Sequence, residues 1–200
     1  MLSAAGLRLA EEIGARFRAR AHIPAPFPGA DMPGDRGDFA PSAVLAAIVD
    51  RPAPTMLFTT RNADLRAHAG QVAFPGGRAD PDDDGPVATA LREAREEIAL
   101  PPETVTVIGE DSAFRTMTGY SIVPVVGIIP AGLPLFPHER EVADIFEVPL
   151  DILLDPGWQR LRTGTIDGKA RRYHEMIWQD RRIWGVTAAL IVNLSRRLRA

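Results

Sequence analysis

Glu93, Glu96 and Glu97 are spaced three and four residues apart, which places side chains on one face of a helix. Val87, Leu91, Ala94 and Ile98 recur at the same period, centred more than roughly 90° around the helix from the acids. The pattern predicts a helix with a buried apolar face and an exposed face crowded with carboxylates. Carboxylates held that close repel one another unless a cation sits among them, and hard oxygen donors suit magnesium or manganese. On the three glutamates alone, a solvated face with Arg92 and Arg95 paired to their neighbours is the commoner reading. A second group lies upstream, where Arg61, Arg66, His68 and Gln71 crowd one short segment. Arginine grips phosphate bidentately, and neutral histidine or glutamine can hydrogen-bond a base or a phosphate oxygen. Taken singly, each is an ordinary surface residue.

The elements that must position these groups follow from pattern. Leu2, Leu7, Leu9, Ile13 and Phe17 predict an amphipathic helix over 3–20, with Arg16, Arg18 and Arg20 at the end where the macrodipole favours cations. Residues 22–41 hold five prolines and three glycines and read as a connector. Pro41 to Val49 is expected to be a short helix, with Pro41 near its start. Pro54 to Thr60 is expected as a strand, followed by a loop and a short extended piece over 61–77. Beyond the acidic helix, strands are expected at Thr104 to Ile108, Phe114 to Thr118 and Ile122 to Ile129. Within the last, Pro124 suggests an edge or a bulge. A strand at Asp144 to Val148 leads to a helical turn at Pro149 to Leu154. Trp158 to Thr165 and Arg172 to Trp178 form a hairpin around Asp167-Gly168, and an amphipathic helix from Thr187 to Leu198 closes the chain. Strands outnumber helices without alternating regularly, so a mixed sheet packed between helices is expected. The chain divides into an N-terminal helix and connector over 1–40, packed on a single domain over 41–200.

Composition narrows the field. A net charge of −3 carries no basic footprint, so a nucleic-acid partner is not expected. There is no cysteine, which removes disulfides, thiolate metal sites and cysteine nucleophiles and fits a reducing, cytoplasmic compartment. No apolar run reaches the length of a transmembrane helix, and no membrane association is expected. Met1 to Ala21 lacks a signal-peptide core, and Glu11 and Glu12 argue against a transit peptide. Tryptophan and methionine near the C-terminus, read as exposed, leave room for a homodimer.

The order Phe74-Pro75-Gly76-Gly77, then Asp80 and Asp83, then Arg92-Glu93 and Glu96-Glu97, resembles the Nudix box, a glycine and an acid followed by R-E-x-x-E-E-x-G. The segment Leu57-Phe58-Thr59-Thr60-Arg61, continuing through Leu65, His68, Gly70 and Val72 to Phe74-Pro75-Gly76-Gly77, is similar to the signature of the coenzyme A pyrophosphatase branch. That signature reads L-L-T-x-R, then L-x-x-H-x-G-x-V-x-F-P-G-G, and Phe58 is a conservative departure from it. The likeness spans about residues 41 to 195. Three positions depart from the general box. The Gly77-to-Arg92 spacing is one residue longer, so the loop acid is Asp83 or Asp84; that acid is Asp rather than Glu; and Ala99 stands where the last glycine falls.

The resemblance implies an α/β (α+β) fold, a Nudix-like α/β/α sandwich with a mixed β-sheet. It implies a hydrolase that uses Mg²⁺ or Mn²⁺ and an activated water to split a nucleoside diphosphate derivative. Glu93, Glu96, Glu97 and the Gly77 carbonyl are the expected metal ligands. Glu93, Glu97, Glu141 and Arg92 form the expected catalytic set, with Arg92 orienting a glutamate and Glu141 serving as a further ligand or general base. Glu139 and Glu147 rival Glu141 for that role. Arg61, His68 and Gln71 are expected to face the substrate, CoA or acyl-CoA, which would yield 3′,5′-ADP and (acyl)phosphopantetheine. ADP-ribose, a dinucleotide, or a silent nucleotide-binding module are the alternatives.

Overall fold

The computed structural model describes residues 1–20, 39–65, 68–166 and 168–199; Arg66, Asp167 and most of the expected connector lie outside them. The chain begins with α1 (Ala4–Ala19), β1 (Ala40–Asp50), β2 (Thr55–Arg61), β3 (Val72–Ala73), β4 (Gly76–Arg78) and α2 (Gly85–Ile98). A 3-10 turn at Pro102–Thr104 precedes β5 (Thr106–Glu110), β6 (Phe114–Arg115), β7 (Tyr120–Pro130) and β8 (Val142–Pro149). Then come α3 (Leu150–Leu154), β9 (Arg160–Ile166), β10 (Lys169–Trp178), β11 (Arg181–Trp184) and α4 (Gly185–Leu198).

Pro41 to Val49 is therefore a strand, not the expected helix. Ala43, Leu45, Ala47 and Val49 enter one core, while Ala46 and Ile48 enter another on the opposite side. With both faces covered, the strand shows no polar alternation, and a short apolar run of this kind cannot be told from a buried helix by period. β1 runs parallel to β7 along its whole length, from Ala40↔Tyr120 to Asp50↔Pro130. Its other edge is shared: β2 pairs at Ile48↔Met56, and β4 at Ala43↔Gly77. β8 then pairs along β2, from Thr55↔Pro149 to Arg61↔Val142.

Pro124 lies inside this sheet rather than at its edge. β7 is flanked by β1 on one side and by β5 and then β6 on the other. Pro124 sits between the residues that pair with β5 and those that pair with β6, where Asp111 N donates to its carbonyl at 2.8 Å. The irregularity belongs to the neighbouring chain.

The mixed sheet lies between helical layers, as expected. α2 covers one face through Ala90, Ala94 and Ile98. α1, α3, α4 and a second sheet ordered β11-β10-β9 cover the other. Phe58 stacks there on Phe74 and Phe146, with ring centroids 4.8 and 5.8 Å apart. The β9–β10 hairpin was legible in the sequence; β11 was not. Met176, expected to be exposed, is buried, and Trp158, Trp178 and Trp184 are half-buried.

α1 is anchored at both ends. Ser3 caps it, and the Asp50 carboxylate at the end of β1 accepts from Ser3 N and Oγ at 2.7 and 3.0 Å, placing an anion at the helix N-terminus. At the other end, Arg16 donates to Leu198 O at 2.9 Å and Arg20 to Arg197 O at 3.3 Å, so these cations serve the carbonyls of α4. Leu7, counted in the apolar stripe, is exposed. Among the described residues no helix is long and apolar enough to cross a membrane.

Candidate active site

α2 begins after Asp84, whose side chain makes no cap bond, and Pro86 occupies its first turn, where a missing N–H costs nothing. It ends at Ala99 in the left-handed region, φ 55°, with Ala99 N on Arg95 O and Leu100 N on Ala94 O. The Ala99 N bond to Arg95 O is that of a left-handed cap, made here without the usual glycine.

The three glutamates do not share one exposed face. Side-chain exposure falls from 59% at Glu96 to 16% at Glu93 and 6% at Glu97. The turn packed beside the helix accounts for the gradient. Gly76 N donates to Glu97 Oε2 at 3.1 Å, and a Cβ on Gly77 would fall 2.6 Å from the Glu93 carboxyl. Only glycine at 77 lets that carboxyl lie against the main chain. Burial pushes the Glu97 carboxyl up to about 7; the Gly76 N–H and Arg61 oppose this, while Glu93 and Glu141 add to it. Burial also raises Glu93, against the pull of Arg92.

Arg92 ties the acidic loop to the helix. Its Nε and Nη2 hold Asp83 Oδ1 and Oδ2 at 3.0 and 2.9 Å. Nη1 donates to Glu93 Oε1 at 3.0 Å and Glu96 Oε2 at 3.1 Å, and Nη2 also reaches Arg78 O at 2.9 Å. Of the two candidate loop acids, Arg92 holds Asp83. The Arg92 hydrogen bonds hold its carboxyl well below the usual range.

Beyond β7 the chain returns along the C-terminal end of α2. Phe136 N donates to Ile98 O at 3.1 Å and His138 N to Glu97 O at 2.8 Å, satisfying carbonyls that a helix end leaves open. This brings Glu141 close enough to raise both Glu93 and Glu97 electrostatically. Of its rivals, Glu147 is held elsewhere by Arg51, with Nε and Nη2 at 2.6 and 2.7 Å, and by Thr55. Glu139 exposes its side chain and supplies a main-chain carbonyl to Asn62. A shallow groove lined by Leu57, Leu133, Leu135, Ile145, Phe146 and Glu147 contains none of the site residues.

On the opposite rim, Arg61 Nη1 stands 4.0 Å from Glu97 Oε1, and its buried Nε has no hydrogen-bond partner. Arg61 N donates to Gln71 O at 2.9 Å and Gly70 N to Arg61 O at 3.1 Å, so the loop closes on itself. His68 Nδ1 and Gln71 Oε1 meet at 3.0 Å near its outer side. Sequence reasoning did not single out Asn62, although its place directly after Arg61 was a usable signal.

Among the described residues no three His, Asp or Glu side chains already converge in a metal-holding arrangement, and Arg92 engages two of the carboxylates. The donor set nevertheless fits a hard divalent cation. Glu93 lies against the Gly77 main chain, Glu97 is a buried carboxylate with its cation 4.0 Å away, and Glu141 is near enough to raise both electrostatically.

The NUDIX domain model matches residues 40–166. Over 157 residues the chain is 42% identical to an uncharacterized Nudix hydrolase, NudL, of Yersinia pestis, covering 78% of this chain and 79% of that one. The NudL protein of Yersinia pseudotuberculosis matches with the same figures. Among solved structures, the chain is similar to a Nudix hydrolase of M. smegmatis, RenU, with a TM-score of 0.49 and 23% identity over 62% of this chain and 78% of that one. With the family model covering more than half the sequence and such relatives covering most of it, the chain belongs to the Nudix hydrolase family.

Proposed function

We propose that this Nudix hydrolase cleaves the diphosphate of coenzyme A or an acyl-CoA, releasing 3′,5′-ADP and (acyl)phosphopantetheine. The observation that carries the reading is Arg61, a half-buried guanidinium with an unpartnered Nε, set 4.0 Å from the buried carboxylate of the acidic helix. A diphosphate brought to the carboxylates would meet it. The 57–77 segment that contains Arg61, similar to the CoA pyrophosphatase signature, supports CoA over other diphosphates.

In this reading Glu93, Glu96, Glu97 and the Gly77 carbonyl hold Mg²⁺ or Mn²⁺. The metal would neutralise charge on the phosphoryl oxygens and acidify a water. Arg92, anchored on Asp83, orients Glu93 and Glu96. Glu141 takes the proton of the attacking water as its oxygen bonds to one phosphorus. The bond from that phosphorus to the bridging oxygen breaks, and its electron pair leaves on the departing phosphate. Arg61 offsets charge on the diphosphate, while His68 and Gln71 contact its nucleotide side. Incubation with Mg²⁺ or Mn²⁺ and CoA, acyl-CoAs, NADH, ADP-ribose and dNTPs tests the assignment. The expected result is 3′,5′-ADP from CoA; its absence under both metals, with turnover of ADP-ribose or a dinucleotide, would move the enzyme to another branch. No turnover of any compound would favour a silent binding module.

A further inference from the structure

We infer that Asn62 is a positioning residue, strapping the Glu141 segment to the end of β2 so that Glu141 is held facing Glu93 and Glu97. The inference rests on Glu141 acting as proposed above. Asn62 uses three groups at once. Its main-chain N donates to Glu141 O at 2.8 Å, its Nδ2 donates to Glu139 O at 2.7 Å, and its Oδ1 accepts from Asp64 N at 3.2 Å. The last contact fixes the orientation of the amide. A backbone N–H can only donate, so the atom facing Asp64 is the oxygen, and the amino group faces Glu139.

The segment gives such a strap a place to act. Glu141 lies on irregular chain between β7 and β8, which is also tied by Phe136 N to Ile98 O, by His138 N to Glu97 O and by the return of Glu141 N and Val142 N to His138 O. Those bonds fix the segment to α2, and on the other side the ladder with β2 begins only at Val142, opposite Arg61. Asn62 extends that tie beyond the ladder, to Glu141 and Glu139, from the strand end that carries Arg61. The turn made by Oδ1 with Asp64 N keeps the side chain extended toward Glu139, as asparagine commonly does in loops. A general base must be held within hydrogen-bond reach of its proton, and a small displacement costs heavily. The β2–β8 ladder already sets Val142 opposite Arg61, and Asn62 carries that hold past the ladder's end to Glu141 and Glu139.

Two variants separate the strap from the turn. Asn62→Asp retains the acceptor for Asp64 N but sets a carboxylate oxygen against Glu139 O; Asn62→Ser can keep the turn but is too short to reach Glu139. With CoA and, in parallel, ADP-ribose as substrates and Mg²⁺ present, both variants are expected to lose about ten-fold in kcat with KM within about two-fold. In a Glu141→Gln background the same changes should cost less than about two-fold, because the positioned group is already disabled. Independently of turnover, amide hydrogen exchange across 138–142 is expected to quicken about ten-fold, the scale of one lost hydrogen bond. Unchanged exchange there, or an equal kcat loss in the Glu141→Gln background, would overturn the inference. An impaired Glu141→Gln beside fully active Asn62 variants would overturn the strap alone. A fully active Glu141→Gln would remove the role of Glu141 and the strap with it.

Discussion

Two arginines each meet buried acid, and they do opposite things. Arg197 on α4 and Asp111 after β5 have side chains 6% and 1% exposed and touch directly. Arg197 also donates to Arg20 O and to Ser112 Oγ, so the pair joins α1, α4 and the β5–β6 connection. At the acidic helix, Arg61 stops 4.0 Å short of Glu97 and leaves its own Nε unpartnered, while burial raises the Glu97 carboxyl to about 7. A buried charge in contact with its counter-ion is a structural tie. One left short of contact is a cost to the fold and marks a candidate place for a ligand.

The sharpest way to break that contrast is Glu97→Gln. With CoA and Mg²⁺, turnover is expected to fall about a thousand-fold, the scale of a lost metal ligand. In EDTA the same variant should be at least as stable as the parent at pH 8. The sign follows from the raised carboxyl. Between its ordinary 4.5 and its folded value of about 7, the folded chain holds the proton that the unfolded chain has released. Metal-free stability therefore falls as pH rises through that window, by up to about 3 kcal/mol. Glu97→Gln should flatten this slope in denaturant titrations at pH 5 and pH 8. An unchanged slope would show that Glu97 is not the group responsible.

Arg197→Ala probes the other side of the comparison. It strands Asp111 in the core and is expected to cost about 3 kcal/mol, a drop of about 10 °C in Tm. Replacing both partners with apolar residues, Asp111→Leu with Arg197→Met, should recover most of that loss. CoA turnover measured well below Tm should be unchanged in all of these variants. Asp83→Ala comes next in size. It frees Arg92 from its bidentate anchor while leaving every glutamate in place, and kcat is expected to fall about ten-fold. Unaltered kcat would mean that Glu93 and Glu96 are sufficient to orient Arg92 themselves.

The local parts of the site were legible in the sequence because they are local. Helical spacing puts Glu93, Glu96 and Glu97 within one turn, and Gly76-Gly77 marks the tight approach beside them. What could not be read was depth. Periodicity assigns a face but not its cover, so the exposure gradient from Glu96 to Glu97 depends on a β4 turn that no helical pattern encodes. The same blindness turned β1 into a helix, since a strand buried on both faces loses the alternation that names it. The choice between Asp83 and Asp84 was one of loop shape, and it is Asp83 that Arg92 reaches. Asn62 went unnoticed because Glu139, which its side chain reaches, lies 77 residues along the chain.

The smallest expected effect concerns the end of the acidic helix and separates stability from chemistry. Ala99 is held at φ 55°, where an L side chain crowds the following carbonyl at a cost of roughly 1–2 kcal/mol. Glycine removes that strain but gives back about half of it in unfolded-state entropy. Ala99→Gly should therefore raise stability by about 0.5–1 kcal/mol and Tm by about 2–3 °C. The bonds from Leu100 N to Ala94 O and from Ala99 N to Arg95 O are main-chain and persist, so the Glu93, Glu96 and Glu97 register and the CoA turnover should stay the same. A loss of turnover in a stabilised Ala99→Gly would show that the strained cap sets the placement of Glu97, and would extend the site one residue past the helix.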